Sequence, residues 1–218
     1  MELDPRWEIE IWEGIYESHV QQIICQFVKP GITFYDVGAG IGFYTLGAAR
    51  FGATVVAFEP DPNNGATLQR HIQLNHDALF GKVFVEGKAV FSYTGSILLL
   101  RGDQTRGHGN ALVSPFEGNL KIECITLDDY AIGKKLFPDF IKIDVEGAEM
   151  HVLKGCVRII ELNKPIILCE VHDKSNFAFI IDWAKNNRYI LQQLINEDSL
   201  QSNEEKFIFP VHVLLKPE

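Results

Sequence analysis

A glycine-rich turn directly after an acidic residue is the stretch of this chain best suited to chemistry. The sequence DVGAGIG occupies residues 36–42, ends an apolar run typical of a buried strand (Ile32 to Val37) and opens a helical pattern. In parallel α/β sheets such turns lie where ligands bind, because glycine lets the backbone approach a ligand closely. The spacing is GxGxG and residue 43 is Phe, so the third glycine of a dinucleotide fingerprint is missing.

Two carboxylates, Asp36 and Glu59, discriminate between the ligands that such a turn could bind. Asp36 ends the first strand, where it would repel a pyrophosphate but can accept a hydrogen bond from an ammonium group. Glu59 ends the second strand 23 residues later, near the spacing at which a carboxylate accepts both hydroxyls of a ribose. S-adenosylmethionine carries an ammonium group and a ribose, so the pair predicts a site for that cofactor. The alternative, an NAD(P)-binding oxidoreductase, needs the missing third glycine.

A second group of polar residues follows two later strands. Asp144 comes directly after the run FIKI, with Glu146 in the loop beyond it, and Glu170 and His172 fall on one side of another strand. His172 has the ordinary pKa of a general base, and Asp144 is the other candidate. Glu149 is interpreted as an acid at a helix start, where the helix dipole favours negative charge.

Two alternatives remain for this second group. In one, His172 merely ends its strand. In the other, Asp144, Glu170 and His172 hold a divalent metal, which is not favoured because one His among oxygen ligands is an indifferent donor set for Mg, Mn or Ca.

Short β-rich runs alternate with helical patterns, which is typical of an α/β fold. Strands are predicted at Ile32–Val37, Thr54–Phe58, Lys82–Val85, Ile97–Leu100, Leu120–Ile125, Phe140–Ile143, Pro165–Val171, Tyr189–Leu194 and Phe207–Leu215. Helices are predicted at Gly42–Phe51, Asp61–Asn75, Glu149–Leu162 (broken) and Phe177–Asn187, after an N-terminal helical extension over residues 1–28. This order implies a mostly parallel twisted sheet with helices on both faces, and the last two strands suggest one antiparallel edge strand.

The 218 residues are predicted to form a single domain. Segment 101–119 has little apolar content and several glycines, so it is interpreted as an exposed loop that covers the site, with disorder as the alternative. His108 lies in this loop and is a candidate substrate contact.

Composition excludes several classes of protein. The chain has 29 acidic against 20 basic residues, a net charge of −9, whereas a protein that binds nucleic acid through phosphates needs a basic face. No stretch approaches the roughly 18 apolar residues of a membrane span. The first ten residues carry four acids and no apolar core, so they do not resemble a signal peptide. We therefore expect a cytoplasmic protein that binds neither nucleic acid nor membrane.

The chain resembles the FkbM family of S-adenosylmethionine-dependent methyltransferases, within the class I Rossmann-like methyltransferase fold. The matching stretches are FYDVGAGIGFYT (34–45), VVAFEPDPNN (55–64), GKAVFSYTGSILL (87–99), ECITLDDY (123–130), FIKIDVEGAEMHVLKG (140–155) and KPIILCEVH (164–172). Gly40 departs from the family, which more often has Asn there. The resemblance implies methyl transfer to a hydroxyl oxygen of a small molecule such as a sugar, a polyketide or another secondary metabolite.

The resemblance also extends the candidate site. It implies that Ala89 and Val90 lie near the adenine and that Glu17, in the extension, lies near the cofactor. The predicted cofactor-binding residues are Glu17, Asp36, Gly38, Ala39, Gly40, Gly42, Phe43, Glu59, Pro60, Ala89, Val90 and Asp144. The predicted catalytic residues are Asp144, Glu170 and His172, and the predicted substrate contacts are Glu146 and His108. A non-catalytic protein that uses this fold for interaction is a further alternative.

Overall fold

The structure is a computed structural model that describes Met1 and residues 11, 13–14, 16–101, 111–114, 117–194 and 209–218. The predicted substrate contact His108 lies outside the described residues. Within the described part of the chain, no helix combines the length and the apolar character needed to cross a membrane.

A seven-stranded sheet forms the centre of the fold. Its strands in chain order are β1 (Thr33–Val37), β2 (Thr54–Phe58), β3 (Val83–Glu86), β8 (Phe140–Ile143), β9 (Ile166–Val171), β10 (Tyr189–Leu194) and β11 (Val211–Pro217). Their order across the sheet is β10-β11-β9-β8-β1-β2-β3. The pairs from β9 to β3 are all parallel, so their carboxyl ends meet at one edge.

A smaller sheet of four strands follows β3. It contains β4 (Ala89–Val90), β5 (Gly95–Arg101), β6 (Ala111–Ser114) and β7 (Leu120–Ile125), in the order β4-β7-β5-β6. β4 pairs parallel with β7, whereas β5 pairs antiparallel with both β6 and β7.

Seven helices of the described chain connect and cover the strands. They are α1 (Ser18–Phe27), α2 (Phe43–Arg50), α3 (Pro62–Leu74), α4 (Leu127–Lys134), α5 (Glu149–Lys154), α6 (Val157–Leu162) and α7 (Lys174–Asn187), with a 3-10 turn at His76–Ala78. The sequence explains where two of these helices begin. The Asp61 side chain accepts hydrogen bonds from two backbone N–H groups of α3, and the Asp173 side chain does the same for α7. The predicted break between α5 and α6 is present at Gly155 and Cys156.

Burial of both faces of the sheet explains why the central strands are so apolar. All five residues of β1 and all four of β8 are buried, including the charged Asp36 and Lys142. The aliphatic and aromatic side chains around them form two large clusters, one on each face of the sheet. Rigid strands packed on both faces therefore fix the backbone on which the site is built.

The predicted fold class is confirmed, and the structure corrects two details. Ala111–Ser114, inside the segment predicted as a loop, forms β6, because its ALVS run can extend the edge of β5. The antiparallel strand is β11, which lies one place in from the edge, between β10 and β9. The predicted pairing of the last two strands is present, with Tyr189 opposite Pro217.

Replacing a central strand residue should test this packing. Ile141 is fully buried in β8, so Ile141→Ala should lower the free energy of unfolding by about 2–5 kcal/mol through lost burial and a residual cavity. Ile190→Ala is the matched control, because Ile190 is 55% exposed and should change it by less than about 0.5 kcal/mol. Urea unfolding measures both; equal losses would contradict the assigned core.

Candidate active site

The glycine turn after β1 leaves no room for a side chain at two of its three glycines. Gly38 has φ +81°, and a Cβ placed on it would lie 1.7 Å from the carbonyl oxygen of Asp144. Gly42 has φ +95°, and its Cβ would lie 2.3 Å from Leu68 Cδ1. Gly40 has φ +54° with nothing within 4 Å of its Cβ position. Two of the three glycines are therefore required for packing, and the third borders open space.

Glu59 ties this turn to the end of β2. Its Oε2 accepts a hydrogen bond from Gly40 N at 2.7 Å, and its Oε1 accepts one from Asp61 N at 2.9 Å. Burial raises the pKa of Glu59 to about 7 despite these hydrogen bonds, which favour the charged form. The predicted ribose acceptor thus lies beside the glycine turn, and its charge changes near neutral pH.

Asp36 carries an unsatisfied buried oxygen. The side chain is fully buried, and Oδ2 accepts a hydrogen bond from Thr45 Oγ1 at 2.6 Å. Oδ1 is also buried and has no hydrogen-bond partner among the described residues. Burial raises the pKa of Asp36, and the nearby Lys142 charge opposes that rise. An unsatisfied carboxylate oxygen in such a place indicates a missing donor.

Lys142 places a positive charge beside Asp36 and Asp144. It lies beside Asp36 in the β1–β8 register, and its Nζ donates to Asp144 Oδ2 at 3.1 Å. The ammonium also lies 4.9 Å from the centre of the Tyr44 ring. Burial alone would lower the pKa of Lys142, but the carboxylates of Asp144, Asp36 and Glu17 raise it well above its ordinary value. The same ion pair holds the pKa of Asp144 below its ordinary value although burial acts to raise it.

His172 lies at the end of β9 among four carboxylates. Its Nδ1 is 2.7 Å from Glu149 Oε1, and its Nε2 is 3.3 Å from Glu146 Oε2. The nearest oxygens of Asp144 and Glu170 each lie 3.9 Å from Nε2. Burial opposes a charge on the ring, but the bond to Glu149 and the neighbouring carboxylates raise the pKa of His172 to about 9.

A strained turn carries the acids that follow β8. Glu146 and Gly147 have φ values of +52° and +102°, and Asn176 of α7 holds the turn by donating to Gly147 O and accepting from Met150 N. Glu149 is fully buried and accepts from Gly147 N at 2.8 Å. The interpretation of Glu149 as a simple helix-start acid is therefore incomplete, since its side chain points inward to His172.

Glu170 extends the polar cluster towards α1 and β11. It lies opposite His212 in the β9–β11 register, with its Oε2 3.7 Å from His212 Nε2. Burial and the Asp144 charge raise the pKa of Glu170 to about 8. His212 Nδ1 is 3.1 Å from His19 Nε2, and burial with that neighbouring ring lowers the pKa of His212 to about 3. Glu17, the predicted cofactor neighbour, accepts a hydrogen bond from Tyr44 Oη at 2.5 Å.

Among the residues that the structure describes, two sets of side chains have donor atoms close enough together for a cation. One set consists of Asp144, Glu170 and His172, and the other of Glu17, Glu170 and His212. Within each set the donor atoms lie within 4.8 Å of one another. In the first set His172 Nδ1 contacts Glu149 at 2.7 Å, so Nε2 is the ring nitrogen that faces Asp144 and Glu170.

The remaining predicted cofactor contacts are half-buried or buried side chains outside the hydrogen-bonded cluster described above. Phe43 is half-buried and packs edge-on against Tyr16, with ring centres 5.4 Å apart. Pro60 is half-buried, whereas Ala89 and Val90 are buried within apolar clusters. A contact between Ala89 or Val90 and the adenine stays a prediction.

A family model decides which kind of enzyme carries this site. The model described as the methyltransferase FkbM domain matches residues 36–191. The chain belongs to the FkbM methyltransferase family. The prediction of a methyltransferase that depends on S-adenosylmethionine is thereby confirmed, and the oxidoreductase alternative is wrong.

Relatives of this FkbM protein agree with that assignment. It is 28% identical over 196 residues to the hexuronic acid methyltransferase AglP of Haloferax volcanii, covering 88% of this chain and 78% of AglP. A crystal structure of an FkbM methyltransferase from Methylobacillus flagellatus KT superposes with a TM-score of 0.62 at 22% identity. That match covers 85% of this chain but 43% of the other, so the chain spans less than half of that relative.

A more distant neighbour has the same fold with its cofactor bound. Magnesium protoporphyrin IX methyltransferase (ChlM) from Synechocystis PCC 6803 with bound SAM matches at a TM-score of 0.56 and 10% identity. The match covers 100% of this chain and 86% of the ChlM chain. At this identity the likeness concerns the fold alone.

Sequence reasoning missed Lys142 and His212 and underestimated Glu149. A signal for Lys142 was present: it is the one polar residue of the run FIKI, and buried Lys is rare unless it is paired. His212 gave a weaker signal, because its strand also contains Lys216. Glu149 gave no such signal, because an acid in the first turn of a helix has an ordinary explanation.

Gly38→Ala tests the contact between the glycine turn and β8. The added Cβ collides with a backbone oxygen at a positive φ, so the turn must shift, and we expect at least tenfold weaker binding of S-adenosylhomocysteine by calorimetry. Gly133→Ala is the control, because Gly133 lies in α4 with nothing within 4 Å of its Cβ position. The control should bind normally and gain up to about 1 kcal/mol in stability. Normal binding by Gly38→Ala would contradict the placement of the cofactor at this turn.

Proposed function

We propose that this FkbM protein transfers a methyl group from S-adenosylmethionine to a hydroxyl of a small, sugar-like molecule. The observation that carries the proposal is the position of His172, between Glu149 and three other carboxylates at the strand ends beside the glycine turn. A hydroxyl acceptor needs a group that removes its proton, and His172 is placed to do so.

The described residues fit the cofactor. Asp36 Oδ1 is buried without a partner and suits the ammonium group, directly or through a water molecule. Glu59 suits the ribose hydroxyls, and the open space at Gly40 lets the backbone approach the ligand. When bound, S-adenosylmethionine supplies an activated methyl group on its sulfonium.

His172 is a better base than Asp144. Lys142 donates to Asp144 and lowers its pKa, which weakens that carboxylate as a proton acceptor. The pKa of His172 is raised instead to about 9, so the neutral form that accepts a proton is a stronger base than free imidazole and becomes the main form above that pH. Asp144 then balances the charge of Lys142 and, with Glu146, borders the reacting hydroxyl.

The acceptor class rests on AglP and on the polar lining. AglP is described as acting on a hexuronic acid, and a sugar presents several hydroxyls to a protein. Carboxylates and imidazoles, which dominate the ends of β8 and β9, accept hydrogen bonds from such hydroxyls. We propose that Glu170 and Glu146 bind the acceptor beside the hydroxyl that is methylated.

The charge of Glu59 should make cofactor binding depend on pH. A carboxylate with a pKa of about 7 is mostly protonated at pH 6 and mostly ionised at pH 8, and the ionised form is the stronger acceptor for ribose hydroxyls. The dissociation constant of S-adenosylhomocysteine should therefore fall about tenfold from pH 6 to pH 8. Glu59→Gln should bind more weakly with little pH dependence in calorimetry, and a flat wild-type profile would refute this role.

Removing the base should separate chemistry from binding. His172→Gln should lower kcat by roughly 100- to 10,000-fold while the affinity for S-adenosylhomocysteine changes less than about threefold. Mass spectrometry of methylated product, with uronic acid and neutral sugar glycosides as acceptors, measures transfer. His76→Gln is the control, because His76 is exposed on the 3-10 turn. Unimpaired transfer by His172→Gln would rule His172 out, and transfer to none of the sugars would rule out the acceptor class.

A further inference from the structure

We infer that Glu149 is the positioning residue of His172: it fixes the tautomer of the imidazole and stabilises the imidazolium that forms when His172 takes the acceptor's proton. This inference rests on the proposed function, because it assigns a second member to the same catalytic pair. Glu149 acts through His172, because its described hydrogen bonds go to His172 and Gly147 N.

The contact between the two side chains determines which nitrogen is free. A carboxylate only accepts hydrogen bonds, so the 2.7 Å contact between Glu149 Oε1 and His172 Nδ1 requires the proton to be on Nδ1. The other nitrogen, Nε2, then carries the lone pair in the neutral ring. It faces Glu146, Asp144 and Glu170 at 3.3–3.9 Å, on the side where the acceptor is proposed to bind.

The backbone holds Glu149 in this geometry. Oε1 also accepts from Gly147 N at 2.8 Å, and the side chain is fully buried. Asn176 fixes both sides of the turn, through Gly147 O and Met150 N. Oε2 is buried and has no hydrogen-bond partner among the described residues. Within the described chain, the hydrogen bonds of this carboxylate are thus made by one oxygen, which serves the turn and the imidazole.

Other charged groups surround the same imidazole without sharing this role. Asp144 and Glu146 after β8, and Glu170 on β9, all approach Nε2. Lys142 on β8 and His212 on β11 lie behind Asp144 and Glu170. Among the described residues Glu149 makes the shortest contact with the ring, to Nδ1 at 2.7 Å, whereas Glu146 approaches Nε2 at 3.3 Å, so Glu149 is the stronger influence on the tautomer.

The proposed step balances with these groups. The acceptor's O–H bond breaks and its proton moves to His172 Nε2, while the oxygen forms a bond to the methyl carbon. The carbon–sulfur bond breaks, and its electron pair stays on sulfur, which becomes neutral. His172 is now an imidazolium whose Nδ1–H points at the charged Glu149, as in other catalytic pairs of a histidine with an orienting carboxylate.

Glu149→Gln tests this role, because it keeps the shape of the side chain and removes its charge. We expect kcat to fall about 100-fold while KM for both substrates and the affinity for S-adenosylhomocysteine change less than about threefold. The apparent pKa in the profile of kcat/KM against pH should move down by about one unit, since the carboxylate raises it. Glu161→Gln, at an exposed position of α6, should leave the rate and the profile unchanged.

A second measurement does not depend on finding the acceptor. Because the pKa of His172 is about 9, nitrogen-15 NMR above that pH should show neutral His172 with its proton on Nδ1 in the wild type, and a titration should show a lower pKa in Glu149→Gln. A proton on Nε2, or an unchanged pKa in the variant, would overturn the inference even where methyl transfer is observed. If transfer to all tested hydroxyls fails while NMR shows the expected tautomer and shift, the proposed function is wrong and the pairing of Glu149 with His172 stands. If Glu149→Gln does not fold, Glu149→Asp, which keeps the charge and lengthens the contact, should show a lower kcat with a smaller shift of the profile.

Discussion

The ion pair of Lys142 with Asp144, beside Asp36 on the neighbouring strand, is the interaction on which the site depends. Asp36 and Asp144 sit on neighbouring strands, and two buried carboxylates repel each other in a medium that screens poorly. Lys142, placed beside Asp36 by the strand register, lowers the pKa of Asp144 and opposes the rise that burial causes in the pKa of Asp36. Removing one member of a buried ion pair costs about 3–5 kcal/mol, so the three residues form a unit.

That unit also sets the electrostatics of the outer part of the site. Asp144, already paired with Lys142, is not the group that gains a proton most easily. The proton instead favours His172 and Glu170, whose pKa values are raised to about 9 and about 8. At the ends of β8 and β9, Glu170 and His172 thus bind a proton more readily than Asp144 does.

Local sequence patterns were sufficient to predict the parallel core and the polar residues at its carboxyl edge, because strand ends and glycine turns are local features. Asp36 and Glu59 were predicted at the correct strand ends for that reason. His212 could not be placed, since β11 enters the sheet between two strands and no local pattern encodes that insertion. β6 was missed because its ALVS run is short and follows a long glycine-rich stretch. The inward turn of Glu149 depends on the positive φ values of Glu146 and Gly147, which follow from packing against Asn176 and not from sequence alone.

The place of β11 in the sheet also constrains the order in which the molecule can assemble. Among the described strands β10 pairs with β11 alone, so β10 has no strand partner until residues 211–217 are available. During synthesis the parallel core from β1 to β9 can form first, and β10 with its successor must then join as one unit. Because this end of the sheet needs the strand that comes last in chain order among those described, it should, with His212 on it, be among the last parts of the molecule to form during synthesis.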